Sequence, residues 1–321
     1  MENYVSIIGG INIDIKGAAD SGSAESDSHQ GKIYISPGGV AGNIAENLAL
    51  LEIPVYLFGC VGDDYFGNLI LDLAKSKNVY TDFVIKSSEI NTSVYLSVSN
   101  KDKSFYYAVN DMKNSTDLIT TEYVRKNFDV LKNSRMIVLD TNLSTEVLNE
   151  TVKFSNENNI PVFIDTVSSE KAVKVKNISG SVDFLSPNRA EFKELFGKYK
   201  DMGDILIMMR KGKFRKYKYI ILKQDKDGVD IIDTEENIIH NCGSLDVEIL
   251  ESSGAGDAFN AGFIFSLLNN EDLFNKFDVS GKIGLCASYF ALRSYNSVSE
   301  NLTKKSLLEF YNQKKLNDEF F

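Results

Sequence analysis

The residues best suited to chemistry in this chain lie in LESSGAGDAFNAGF, residues 250–263. Gly254, Ala255 and Gly256 bring no bulky side chain to the mouth of an apolar run that predicts a helix, and Asp257 is the acid at that mouth. Amides in a helix's first turn have no partner within the helix, and the dipole adds positive potential there, so they can bind a phosphate or a developing anion. A carboxylate beside them can take a hydroxyl proton while the amides hold the transferring group. It can equally be a plain capping aspartate, and spacing alone leaves both readings open.

Two further stretches carry the same ambiguity. In SPGGVAGNIAENLA, Gly38 and Gly39 allow a close backbone approach and Asn43 sits one turn into the helix that follows; a simple glycine turn has the same pattern. In SPNRAEF, Asn188 precedes Glu191 by three residues, which is also the signature of an N-cap with a capping box. The chain has no G-x-x-x-x-G-K-[ST] loop, and no G-x-G-x-x-G opens a helix after a strand, so phosphate chemistry must use other parts. With two histidines, His29 and His240, and three scattered cysteines, Cys60, Cys242 and Cys286, zinc chemistry and Ser-His-Asp or Cys-His catalysis have little to work with. Carboxylates, backbone amides and a lysine must carry any reaction.

The elements that position these residues follow from the apolar pattern. RMIVLD, IPVFIDT, VDFLSPN, KYIILKQ and GVDIID predict short strands, most of them separated by helical stretches such as STEVLNETVKFSNEN and RAEFKELFG. That alternation predicts βαβ units around a largely parallel sheet, whose ligands bind beyond the carboxyl ends of the strands. Asn12, Asp14, Asp140, Asn142, Asp165, Asn188 and Lys223 all follow apolar runs there. The early strands fall outside this rhythm: TSVYLSVSNKDKSFYYAVND predicts a hairpin turning at NKDK, and residues 18–31 predict a mobile polar loop. A small separate sheet from two distant segments is expected.

Composition narrows the class. The chain has 321 residues, 43% of them apolar and 25% charged, which suits one large α/β domain. A net charge of −10 argues against coating nucleic acid, and the basic run at 210–223 predicts only a solvated helix end before a strand. No apolar run is long enough for a membrane span and the first residues do not read as a signal peptide. Odd, dispersed cysteines suit reduced thiols in the cytoplasm.

Together, GGINID (9–14), GGVAGNIAENLALLEIPVYLFGCVGDDYFG (38–67), SPNRAEF (186–192) and SSGAGDAFNAGF (252–263) resemble, in order, the motifs of the ribokinase-like (PfkB) carbohydrate and nucleoside kinases. The match spans nearly the whole chain. Within the family, VNDM (109–112), LDTNLSTEVL (139–148), IPVFIDTVSSEKAVKV (160–175) and SVSENLT (297–303) resemble the pseudouridine kinase branch. The resemblance implies a three-layer α/β fold, with a mostly parallel central sheet, as a single domain over 1–321, and a β-sheet lid built from about 11–36 and 88–112. It implies ATP and Mg²⁺, a small nucleoside or sugar substrate, no nucleic-acid or membrane partner, and a homodimer through the lid. It makes Asp257 the base and Gly254, Ala255 and Gly256 the anion hole. Asn12, Asp14, Gly38, Gly39 and Asn43 would bind the ribose, with Asn142 and Lys171 as further substrate contacts. Asn188 and Glu191 would order Mg²⁺ and its waters, and Lys223 and Gly228 would lie by the nucleotide.

Five residues depart from the family's pattern. Glu52 replaces a usual glycine, Gly42 stands where pseudouridine kinases tend to have arginine, and Asp225 replaces a commoner glycine. Glu251-Ser252 stands where Asp-Thr usually serves a monovalent cation such as K⁺. The reading is an ATP-dependent kinase for the 5′-hydroxyl of a ribosyl substrate, pseudouridine first. A kinase for another nucleoside or free sugar, and a non-catalytic binder that keeps the fold, are the alternatives.

Overall fold

The computed structural model describes residues 3–20, 28–100, 106–112, 116–269 and 276–320. Thirteen strands are present among them: β1 (Tyr4–Ile8), β2 (Asn12–Ala19), β3 (Gly31–Gly38), β4 (Val55–Gly62), β5 (Val79–Ser87), β6 (Val94–Asn100), β7 (Tyr106–Asp111), β8 (Ser134–Asp140), β9 (Val162–Asp165), β10 (Val182–Ser186), β11 (Tyr217–Lys223), β12 (Val229–Asp233) and β13 (Ile238–Asn241). Nine form the main sheet, in the order β13-β12-β11-β10-β9-β8-β1-β4-β5. From β11 to β5 every pairing is parallel; β12 and β13 close one edge as antiparallel strands.

Parallel strands covered on both faces must be apolar on both sides, and successive residues point to opposite layers. In β1, Val5 and Ile7 join one core while Ile8 joins the other; in β8, Met136 and Val138 face the first core, Ile137 and Leu139 the second. The first layer contains helices Val40–Leu50, Ala255–Asn269, Lys276–Leu292 and Lys304–Leu316; the second contains Thr145–Asn158, Arg189–Phe196 and Met202–Arg210. Helix Ala255–Asn269 is buried along its whole middle, Ala258 to Leu267, because helices Val40–Leu50 and Lys276–Leu292 pack against it and Phe263 reaches Phe163 and Phe184 of the sheet. An all-round apolar helix is stable only in such a position. The fold is a three-layer α/β sandwich around a mostly parallel sheet, as expected from the sequence.

The remaining strands form a second sheet, β3-β2-β6-β7. Its central pairing, β2 with β6, is parallel, and its two outer pairings are antiparallel. One face carries Ser36, Asp14, Tyr95 and Asn110 in one row. The opposite face carries Ile35, Ile15, Leu96 and Val109 in one row and Ile33, Gly17, Val98 and Tyr107 in the next. The expected loop at 18–31 is shorter than its composition suggests: β2 runs to Ala19, β3 starts at Gly31, and Asp20 N still donates to Gln30 O at 2.9 Å. Small polar side chains read as loop, yet the backbone ladder needs none of them. The centre of that loop, 21–27, and most of the NKDK turn lie outside the described residues.

Candidate active site

The carboxyl ends of the parallel strands gather the chemistry. Asp140 ends β8, Asp165 ends β9, Lys223 ends β11, and Asn188 follows β10 by two residues, bridged to Lys223. Facing them is the N-terminus of helix Ala255–Asn269. Gly254 turns the chain into this helix at φ +81°, and a Cβ there would lie 1.9 Å from the Ser297 carbonyl oxygen. Only glycine fits on both counts. Ala255 N makes a long 3.3 Å bond to Ser252 O, and Ala258 N takes Gly254 O at 2.9 Å, so the helix is established by its first turn.

Asp257 in that turn accepts from Asn43 Nδ2 at 2.7 Å, joining the GAGD segment to helix Val40–Leu50. Burial, and then the charge of Asp165, push its carboxyl well above the usual range, against the Asn43 bond and the Lys223 ammonium. A carboxyl so placed is poised for proton exchange near neutral pH. Lys223 Nζ lies 3.2 Å from Asp165 Oδ2, and Gly256 faces that ammonium with no side chain between them. Asn260, fully buried one turn further on, donates to Asp165 Oδ2 at 2.7 Å and accepts from Ser186 Oγ at 2.7 Å.

Asn188 and Glu191 hold each other. Asn188 caps helix Arg189–Phe196, while Glu191 accepts from Asn188 N at 2.8 Å, Asn188 Nδ2 at 2.7 Å and Thr166 Oγ1 at 2.6 Å. The capping box is therefore real, and Glu191 is nonetheless on the wall of a cavity. That cavity, about 520 Å³, is lined by Asp165, Asn188, Glu191, Lys223, Gly228 and Asp257, and continues over an apolar stretch that includes Leu285, Tyr289 and Leu292. The donors offered at its polar end are oxygens, which suit a hard cation. Among the described residues no group of three or more His, Cys, Asp or Glu side chains is placed to hold a metal unaided. Such a site fits Mg²⁺ shared with phosphate oxygens and waters, since Mg²⁺ is usually held by one or two carboxylates together with substrate phosphates.

Asn12 and Asp14, at the start of β2, lie beside the Gly38-Gly39 turn that opens the Asn43 helix. Asn12 Nδ2 donates to Asp14 Oδ1 at 2.7 Å and Ser297 Oγ donates to Asp14 Oδ2 at 2.9 Å. Burial raises the Asp14 carboxyl and these two bonds oppose the rise. Gly38 abuts the Asp14 carboxylate, and Gly39, at φ +88°, lies too close to the Gly10 carbonyl for any side chain. Gly10 in turn donates to Asp140 Oδ2 at 2.8 Å and packs on the Asn142 amide. Asp140 is fully buried, which pushes its carboxyl up to about 6 against the amides of Gly10 and Asn142.

Asn142 leads into a second cavity of about 720 Å³, walled by Asn110, Met112, Glu146, Lys171 and Lys174 among others. Lys171 Nζ donates to Asn142 Oδ1 at 2.6 Å. Lys174, not singled out in the sequence, donates to Thr141 O and Leu143 O at 2.8 Å each and so holds the turn that carries Asn142. Of the residues expected to act, Ala255, Gly256, Asp257, Asn188, Glu191, Lys223 and Gly228 line the first cavity and Asn142 and Lys171 the second, while Asn12, Asp14, Gly38, Gly39, Asn43 and Gly254 line neither and are tied to the site by the contacts above. Asp165 was visible only as a strand end, and Ser297 and Asn260 only as ordinary polar residues.

The departures have structural sense. Glu52 adopts φ +64° after helix Val40–Leu50, the left-handed position that glycine fills without strain, and pairs with Lys304 at 2.9 Å. Asp225 is likewise left-handed, at φ +52°. A Cβ at Gly42 would meet only Ile11 Cγ2 at 3.7 Å, so a side chain is sterically acceptable there. Glu251 turns its carboxylate onto its own loop, accepting from Ser252 N at 2.9 Å and Ser253 N at 3.2 Å.

The profile of the pfkB family carbohydrate kinases matches residues 2–287. The chain belongs to that family. It is 34% identical over 265 residues to the pseudouridine kinase of Escherichia coli K12, covering 81% of this chain and 82% of that one. In fold it is similar to an Arabidopsis thaliana ribokinase solved with ribose and ATP, with a TM-score of 0.77 and 18% identity over 97% of this chain and 99% of that one. A second similar structure is an E. coli protein described as ribokinase II, in complex with ATP and Mg²⁺, with a TM-score of 0.78 and 16% identity over 97% and 99% of the two chains. Among the described residues no helix is long and apolar enough to cross a membrane.

Proposed function

We propose that this chain transfers the terminal phosphoryl group of ATP to the 5′-hydroxyl of a ribosyl acceptor, and that the acceptor is pseudouridine. The observation that carries the reading is the position of Asp257. It lies at a helix N-terminus, raised by burial and by Asp165, on the wall of the 520 Å³ cavity and bonded to Asn43, whose helix opens at the Gly38-Gly39 turn that abuts Asp14.

In this reading Asp14 and Asn12 accept and donate to the ribose hydroxyls, a carboxylate suiting a vicinal diol because it only accepts. That leaves the 5′-hydroxyl toward Asp257, which takes its proton as the oxygen attacks phosphorus. The amides of Gly254, Ala255 and Gly256 and the Lys223 ammonium meet the charge on the transferring oxygens. Lys223 and Gly228 hold the nucleotide, whose base lies along Leu285, Tyr289 and Leu292. Asn188 and Glu191 would hold waters of Mg²⁺, which when bound would neutralise phosphate charge. Glu191 acts through water because its oxygens already accept from Asn188 and Thr166.

Two features support a nucleoside over a free pentose. The 34% identical relative is a pseudouridine kinase, and Asn142 and Lys171, on the wall of the second cavity, can pair with the carbonyls and ring N–H groups of a uracil. The small sheet serves as the lid that excludes water, its polar face toward the substrate. Its apolar face exposes Ile33, Ile35, Leu96, Val98, Tyr107 and Val109, each at least 37% accessible, and we read it as the surface on which a second copy packs. ADP release measured with pseudouridine, uridine, adenosine, inosine, ribose and fructose 6-phosphate tests the assignment. Highest kcat/KM with pseudouridine is expected; a clear preference for another acceptor overturns the substrate.

A further inference from the structure

Ser297 touches both the Asp14 carboxylate and the Gly254 turn. Its hydroxyl, buried to 1% exposure, donates to Asp14 Oδ2 at 2.9 Å and accepts from Lys16 Nζ at 3.5 Å, so it bonds to two residues of β2. Its carbonyl oxygen is packed so closely on Gly254 that a Cβ there would lie 1.9 Å away. Two residues earlier, Tyr295 stacks on Tyr34 of β3, with ring centroids 5.6 Å apart and planes 8° apart. The segment 295–297 is thus anchored to two strands of the small sheet and to the turn that opens helix Ala255–Asn269.

We propose that Ser297 is a positioning residue that fixes the Asp14 carboxylate relative to the Gly254 turn, and so sets the distance from the acceptor's hydroxyl to the group being transferred. The proposal rests on the reading of Asp14 as an acceptor ligand. A carboxylate held by one side only can swing within its pocket; bonded by Asn12 on one oxygen and Ser297 on the other, it presents one orientation. The backbone of the same residue abuts the anion-binding turn, so a shift of one end moves the other. Phosphoryl transfer is sensitive to such displacement because its catalysis is mostly positioning. The Ser297 bond also opposes the rise that burial imposes on the Asp14 carboxyl, so without it Asp14 protonates at higher pH.

The test uses Ser297→Ala, Ser297→Thr and Asp14→Asn in the full chain, with pseudouridine and MgATP. Loss of a hydrogen bond to a charged group predicts a drop of about 10–100-fold in kcat/KM for the acceptor in Ser297→Ala. ATP KM and Tm should stay near wild type, and Ser297→Thr should restore the rate. Adding Ser297→Ala to Asp14→Asn should cost little more than Asp14→Asn alone. If Asp14→Asn weakens acceptor use and Ser297→Ala does not, or if the two losses add, the positioning role is overturned while the proposed function stands. If Asp14→Asn leaves acceptor KM unchanged, the underlying reading of Asp14 is overturned.

Discussion

Replacing Asp257 with asparagine keeps the side chain's size while removing its ability to take a proton. The asparagine oxygen can still accept from Asn43 Nδ2, the 2.7 Å bond that joins the two helices, so the local architecture should survive. A positioned base contributes about 10²–10⁴-fold to such a step, so kcat should fall by that factor. At 1.36 kcal/mol per decade the loss is about 3–5 kcal/mol of transition-state stabilisation. The same change should not weaken the fold. The Asp257 carboxyl is raised by burial and by Asp165, to about 8 from an ordinary 3.8. Between those values the folded state holds more protons than the unfolded one, so wild-type stability falls as pH rises. Asp257→Asn is free of that fall: its Tm should match wild type near pH 4 and exceed it increasingly up to about pH 8. ADP release at saturating pseudouridine and MgATP, calorimetric binding of each ligand, and Tm against pH measure all three effects. Turnover within about threefold of wild type would refute the base role, because that is far below what a general base supplies.

Four other outcomes are expected. Asp165→Asn removes the charge that, after burial, raises Asp257, so the acid limb of kcat/KM against pH should move to lower pH; an unmoved limb would assign it to another group. Glu191→Gln keeps the capping-box geometry and loses the charge, so half-saturating Mg²⁺ should rise about 10–100-fold with little change in Tm. Gly254→Ala sets a methyl against Ser297 O at φ +81° and should lower kcat about 10²–10³-fold by displacing anion-hole amides, with ATP hydrolysis and circular dichroism as readouts. Ile33→Lys with Ile35→Lys places charges on the apolar face of the small sheet; sedimentation should show a dimer become a monomer, and a monomeric wild type would refute that interface.

What the sequence made legible is what short range decides. The runs RMIVLD and IPVFID, with acids at their ends, declare buried parallel strands and the rim of a site, and Asp140 and Asp165 are where that pattern puts them. GAGD shows its bareness directly, although the reason Gly254 cannot change, a carbonyl from residue 297, is not visible nearby. The contacts that complete the site are between residues far apart: Asp14 with Ser297, separated by 283 positions, and Asp165 with Asn260, separated by 95. No local pattern marks a serine or asparagine for such a bond. SPNRAEF posed a choice between a capping box and a cation-ordering pair, and the geometry makes the two compatible, since Glu191 closes the box while lining the cavity. The loop at 18–31 was overestimated because side-chain composition says little about a backbone ladder of small residues.

The most direct test of the phosphoryl-transfer reading is ³¹P NMR of the product formed from pseudouridine and MgATP by the wild-type chain. The reading predicts a phosphomonoester on the 5′-oxygen, appearing with ADP in equal amounts and nearly absent with Asp257→Asn. Release of inorganic phosphate with no monoester, or a monoester formed equally well by the variant, would contradict it.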